Sequence, residues 1–233
     1  DVEKLDGFQS SIDVNEVMKN KKLMLIEQSH HQIITKIEND TTQLDNLCEM
    51  AWGTSKSGYG KLKILQPEYK KLSEKKKADY EPILQTRDIK NYYIDWKKEY
   101  IPKEIYSQNA IKKFNVAEKL LVARMTLTLQ AAIDYNQCFV GKSTLITQIN
   151  PKIDIKYLLA LLNSKLVDYW YKTYFENTHM AGGYIRFDIP YLKQIPVKIV
   201  SKIHQKPIIK LVDKILKQKE KDPESDTSKI EKQ

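Results

Sequence analysis

A few sets of residues have types that could carry chemistry, and their spacing decides what each can do. Asp79, Asp95 and Lys97 could be lined up as the carboxylate, carboxylate and lysine of a metal-dependent nuclease, groups that hold a divalent ion and polarise a phosphate. Such spacing is common by chance where 30% of residues are charged, and Asp79 lies in a lysine-rich polar stretch rather than on a recognisable strand. Gly141-Lys-Ser-Thr144 has the ending of a phosphate-binding loop, but the first glycine that such a loop requires is replaced by Asn136 and no helical pattern follows. The plainer reading is a strand-edge turn with Lys142 and the hydroxyls facing outward. Asn150-Pro151 opens like the catalytic quartet of adenine methyl transfer, then continues Lys152-Ile153 without the second proline or the aromatic. None of the seven glycines forms a dinucleotide-type turn after a strand. His30 and His31 have no Cys or third His at ligand spacing and fall on the exposed first turn of a helix opened by Ser29-His-His-Gln32. Cys48 and Cys138 form no CxxC pair, which predicts free core thiols in a reducing, cytoplasmic setting.

Composition narrows the partners. The 233 residues suffice for one large domain with a real core, and no apolar run approaches the ~20 residues that span a bilayer. Lys and Arg outnumber Asp and Glu by 39 to 30, and a pI near 9.2 favours polyanionic partners. The chain opens at Asp1 with neither an initiator methionine nor a signal-peptide layout, which reads as a piece of a longer protein.

The elements that must position these residues follow from periodicity. Asp13-Val-Asn-Glu16 and Ser29-His-His-Gln32 have capping-box spacing and predict a helical lead-in over residues 1–40. Leu44 to Trp52 is a short apolar element entering Gly53-Thr-Ser-Lys-Ser-Gly-Tyr-Gly-Lys61, whose glycines allow positive φ and close approach to a partner. Strands are expected at Leu62 to Leu65, Tyr92 to Trp96, Tyr100-Ile101, Lys119 to Arg124, Leu127 to Ile133 and Cys138 to Val140, with a solvated helix or loop over Tyr69 to Asp79. Asp154 caps a helix from Ile155 to Phe175 whose apolar positions repeat at three and four. A last helix starts near Pro207, with Ile208, Leu211, Val212, Ile215 and Leu216 on one stripe, and from Asp222 the tail has no apolar period and is expected to be disordered. The fold class is α+β: a twisted mixed β-sheet braced by helices, with a long C-terminal helix.

Taken in order, Leu47-Cys-Glu-Met-Ala-Trp-Gly53, Tyr80 to Tyr93, Lys119 to Arg124, Ala132 to Leu145 and Tyr157 to Val197 resemble the target-recognition, or specificity, domain of Taq-type DNA adenine-N6 methyltransferases. Fused type II-G restriction-modification enzymes and, more loosely, type I specificity subunits share it. The specific parts are Arg87-Asp88-Ile89, Leu162-Asn-Ser-Lys165 and the Gly182-Gly183 turn. The resemblance implies binding of double-stranded DNA, with the catalytic domain, its S-adenosylmethionine and any nuclease on other residues of the same or a separate chain. This chain itself would hold no cofactor, metal or catalytic residue. It divides the sequence into the lead-in, a target-recognition domain over 41–200, a spacer helix over 201–221 and a tail over 222–233. Lys56, Lys61, Arg87, Lys90 and Lys142 are then candidate phosphate contacts; Ser57, Tyr59, His179 and Arg186, in or beside glycine loops, are candidates for base or groove contact. Other readings are a stand-alone specificity subunit recruiting methyltransferase chains through its terminal helix, and the nuclease.

Overall fold

The computed structural model describes residues 28–54, 56–175 and 179–232; the Asp13–Glu16 box and the side chain of Ser29 lie outside what it describes. The chain begins with α1 (Gln28–Glu38), β1 (Thr42–Gln43), β2 (Cys48–Trp52), β3 (Ile64–Leu65), α2 (Gln66–Lys70), α3 (Glu74–Lys77) and β4 (Tyr80–Leu84). Next come β5 (Ile89–Lys90), β6 (Tyr93–Ile94), β7 (Glu99–Pro102), α4 (Gln108–Phe114), β8 (Lys119–Val122), β9 (Met125–Thr126), β10 (Ala131–Asp134), β11 (Phe139–Val140) and β12 (Thr144–Gln148). It ends with α5 (Ile155–Leu162), α6 (Lys165–Tyr174), β13 (Ile185–Arg186), α7 (Ile189–Leu192), β14 (Pro196–Val197), α8 (Lys202–Lys221) and α9 (Ser228–Glu231).

A central sheet of order β10-β8-β12-β2, antiparallel throughout, separates two hydrophobic cores. Alternation of side chains along each strand explains the division. Leu120, Val122, Ala131, Ile133 and Ile146 face Leu158, Leu162, Trp170, Val212 and Ile215 of the helical layer. Leu121, Ala123, Ala132 and Leu145 face Ile83, Leu84, Ile101 and Phe139. Those last residues belong to a second sheet, β11-β4-β7-β3, in which β11 runs parallel to β4. The expected α+β class therefore holds, with two four-stranded sheets stacked under helices. Leu127 to Ile133 is not one strand, because the chain leaves β9 and returns as β10.

The chain crosses from the central sheet to the second one directly after β10. There Lys119 and Asp134, opposite each other in the ladder, form a fully buried ion pair of 2.6 Å. Lys119 also donates to the Phe114 carbonyl at 2.8 Å, while Asp134 accepts from the backbone N–H groups of Asn136 and Cys138. Those bonds shape the turn, in which Gln137 takes φ +55°. Both cysteines are buried and free, and burial pushes each thiol up to about 12.

The expected single helix from Ile155 to Phe175 is two. Asp154 caps α5 by accepting from Lys156 N at 2.8 Å, as its position predicts. The apolar period then continues, but Ser164 caps a new helix, accepting from Val167 N at 3.1 Å and donating to the Leu161 carbonyl. Asn163, between the helices, turns its amide onto both backbone groups of Ala131, each at 2.9 Å. His30, expected on an exposed turn, stacks on Tyr169 of α6 and bonds its hydroxyl at 2.6 Å.

The last helix begins at Lys202, not Pro207, and Pro207 lies inside it. Buried Gln205 anchors it, donating to the carbonyls of Lys152 and Val200 and accepting from Asp154 N. Val212 and Ile215 complete the helical core, so this helix is integral to the packing described here. The tail is placed as well, contrary to the expected disorder. Glu224 accepts from Tyr93 Oη at 3.2 Å, Thr227 is buried, and Ile230 packs on the core.

Two outcomes follow from this packing. Asp134→Ala, which strands a buried ammonium, should cost about 3–5 kcal/mol in urea unfolding, while Lys119→Met with Asp134→Leu should recover a large part of it. Truncation after Val200 removes core residues, so the shortened chain should lose its cooperative thermal transition. A retained transition would make α8 peripheral.

Candidate nucleic-acid interface

The C-terminal ends of β2 and β8 and the start of β12 lie at one end of the central sheet, since Thr144 is paired with both Trp52 and Val122. Three candidate segments leave from this end: residues 53–61 after β2, residues 141–143 before β12, and residues 179–187, which join it through β9 and β13. Backbone bonds fasten the first two. Gly53 N donates to the Ser143 carbonyl at 3.0 Å, Thr54 N reaches the carbonyls of Val140 and Gly141, and Gly141 N reaches Leu84. A Cβ on Gly53 would stand 1.9 Å from the Gly141 oxygen, so only glycine permits this approach of the two sheets.

A clasp fixes the third segment. Arg124, just past β8, donates through Nε to Asp188 at 2.6 Å, and its guanidinium lies 5.1 Å from the centre of the Trp52 ring. The Asp188 hydrogen bond raises the Arg124 pKa further, so its charge is permanent. Phe187 N donates to the Arg124 carbonyl at 2.8 Å, and the Tyr171 hydroxyl donates to that of Arg186 at 2.7 Å. Gly182 and Gly183, at φ +78° and +77°, turn the hairpin tip.

Lys56, Ser57, Lys61 and Lys142 are exposed around this end, and the three lysines make no ion pair among the described residues. Tyr59 does not face out: it is buried, donates to Gln85 Oε1 at 2.7 Å, and burial raises its pKa. It packs the second core and is unavailable to a base. The hydroxyls of Ser143 and Thr144 also point inward, Ser143 meeting Thr86 Oγ1 at 3.1 Å, which leaves Lys142 alone facing outward from that turn. Arg87 is half exposed yet engaged, with Nη2 at 2.7 Å from Glu99 and Nε at 3.6 Å from buried Asp88. Glu99 also holds Lys63 at 2.8 Å. Lys90 stands opposite Tyr93, whose ring meets Lys219 of the terminal helix, so it faces the tail. His179 and Arg186 are both exposed, but His179 is bridged to buried Ile185 and thus lies on the opposite face of the hairpin from Arg186.

The nuclease trio is not assembled. Asp79 precedes β4, whereas Asp95 donates its N–H to the Asp88 carbonyl beyond the other end of β4, a strand length of roughly 15 Å away. Lys97 is paired with Asp95. No group of three metal-type ligands occurs among the described residues. Sequence reasoning missed Arg124 and Trp52, whose roles arise only when the ends of β2 and β8 are brought together; the one available signal was their place at the ends of apolar runs.

No curated protein matches the chain. Among solved structures, the HsdS subunit from Thermoanaerobacter tengcongensis is similar at a TM-score of 0.45 and 11% identity, over 94% of this chain and 49% of that one. A chain from a study of complex assembly and conformational transition of the type I R-M system gives 0.46 and 11%, over 88% and 48%. The chain thus spans about half the length of these solved chains. The model of the TaqI-like C-terminal specificity domain matches residues 81–197, just over half of the sequence, leaving only the Leu47–Gly53 block of the resemblance wholly outside. With that match, the chain belongs to the TaqI-like C-terminal specificity domain family.

Proposed function

We propose that this chain reads duplex DNA for a restriction-modification protein, presenting a target sequence to a catalytic domain outside it. The observation that carries the reading is the gathering of three loop segments, with lysines that form no ion pair among the described residues, at one end of a sheet that has a hydrophobic core on each face. A closely packed base suits recognition, because phosphates are met by exposed lysines and bases by side chains held in place from below. The parent activity on this reading is adenine-N6 methyl transfer, with S-adenosylmethionine bound by the catalytic domain and cleavage by a further domain where one exists. The cytoplasm is the compartment that such a partner and two free buried thiols suit. Recruitment of a separate methyltransferase through the seam of α8 is less well supported, since Val212 and Ile215 are already buried within this chain.

The test is selection from a randomised duplex library, followed by salt titration on the enriched sequence. A defined sequence should emerge. Alanine at Lys56, Lys61 and Lys142 should weaken all duplexes alike and flatten the slope of log K against log salt by about 0.9 for each phosphate that is no longer neutralised. Arg87→Ala should change that slope less than any of the three, because Glu99 and Asp88 already hold its charge. Failure to enrich any sequence, or affinity indifferent to salt, refutes the proposal.

A further inference from the structure

The β9–β13 ribbon is apolar on both of its faces. In a ribbon lying on a core, one face is apolar and covered while the other is polar and wet. Here the inner face conforms: Ile185 is buried, Phe187 follows it into the core, and Thr126 lies opposite Ile185. The outer face does not. Met125 stands directly opposite Arg186, and Tyr184, two residues before Arg186, shares their side. Met180 pairs with Tyr184 through a 2.8 Å backbone bond and places its sulfur 3.8 Å from the Arg186 guanidinium. Leu127, two residues beyond Met125, reaches the backbone at Gly183, whose added Cβ would lie 3.8 Å from Leu127 Cδ2. Met125, Leu127, Met180 and Tyr184 are exposed by 40, 54, 39 and 46%. Four apolar side chains and one arginine thus occupy the solvent face of a ribbon whose backbone is pinned from below by Tyr171 and from the side by Arg124.

Resting on the DNA-reading function proposed above, we infer that this ribbon enters the major groove, with Arg186 reading guanine and the apolar side chains reading the C5-methyl groups of neighbouring thymines. A contiguous exposed apolar face marks an interaction surface, and its surroundings choose the partner. Arg124 and Asp188 beside it neutralise each other, so among the described residues Arg186 is the charge that this face presents. A polyanion with apolar edges fits such a surface. The major groove admits a two-stranded ribbon, offers guanine O6 and N7 to an arginine fork, and is the groove in which thymine displays its methyl. The geometry also sorts the hairpin's polar residues: Arg186 points with the reading face and His179 away from it.

The experiment uses the 233-residue chain and the sequence it enriches from a random library. Each thymine of that sequence is replaced in turn by deoxyuridine, which removes only the methyl group. At one or two positions the affinity should fall roughly fourfold, the value of one buried methyl. That fall should vanish in whichever of Met125→Ala, Leu127→Ala, Met180→Ala or Tyr184→Ala removes the side chain that meets the methyl, and Arg186→Ala should relax a guanine preference by roughly fivefold or more. The side chains are exposed, so the thermal midpoints of these variants should match the parent and exclude misfolding as the cause. His179→Ala should leave the preference unchanged. An enriched sequence that is insensitive to uracil and to all five ribbon substitutions overturns the ribbon while leaving DNA reading intact. A chain that enriches no sequence at all takes both away.

Discussion

Burial of the central sheet on both faces is the constraint on which the remaining structure depends. A sheet wetted on one side tolerates polar residues at every second position; β8 and β10 are buried along their whole length, and a charged group within them needs a partner from the protein. Lys119 and Asp134 are the extreme case, and they answer it with each other, the Phe114 carbonyl and the N–H groups of Asn136 and Cys138. Because Asp134 ends β10, the same bonds steer the chain into β11 and so into the second sheet. The pair adds little net stability over apolar residues of the same size, since desolvation offsets much of its attraction.

At the opposite end the two sheets are joined differently. Gly53 and Gly141 bring backbone against backbone, with no side chain between the layers. One end is held by charge and the other by close backbone packing, which leaves Lys56, Ser57, Lys61 and Lys142 displayed from a closely packed edge. The Arg124–Asp188 clasp extends this arrangement to the 179–187 hairpin, so that the segments share one frame.

Much of this was legible in the residues, and the misses have physical causes. Asp154 announced the helix it caps, Lys119 to Arg124 read as a strand that the structure ends at Val122, and both cysteines read as core thiols. The Ile155 to Phe175 pattern hid a break because apolar spacing stayed in phase across Asn163 and Ser164, whose bonds to Ala131 and Val167 are invisible without the sheet. The tail lacked an apolar period, yet Ile230 and Thr227 suffice to seat it on residues remote in sequence. Within the candidate site, glycine-rich surroundings suggested that Tyr59 faced outward, but Gly53 serves the joint between sheets and Tyr59 fills the space behind it, its hydroxyl close to Gly141. Arg87 looked like a free cation because its partner, Glu99, lies on a strand twelve residues away. Exposed apolar side chains at strand ends, such as Met125 and Leu127, gave no warning because their common face depends on pairing with residues about sixty positions later.

The amide of Asn163 has a consequence for assembly. β10 is the outermost strand of the central sheet, and its outward backbone groups would ordinarily offer a template on which a foreign strand could add. Asn163 engages both groups of Ala131, and Tyr92 N also donates to that carbonyl at 2.9 Å, so the template is blocked at its first residue by the chain itself. Growth of the sheet by strand addition at that end of β10 is therefore closed. The residue that interrupts the helix also keeps the sheet from becoming sticky.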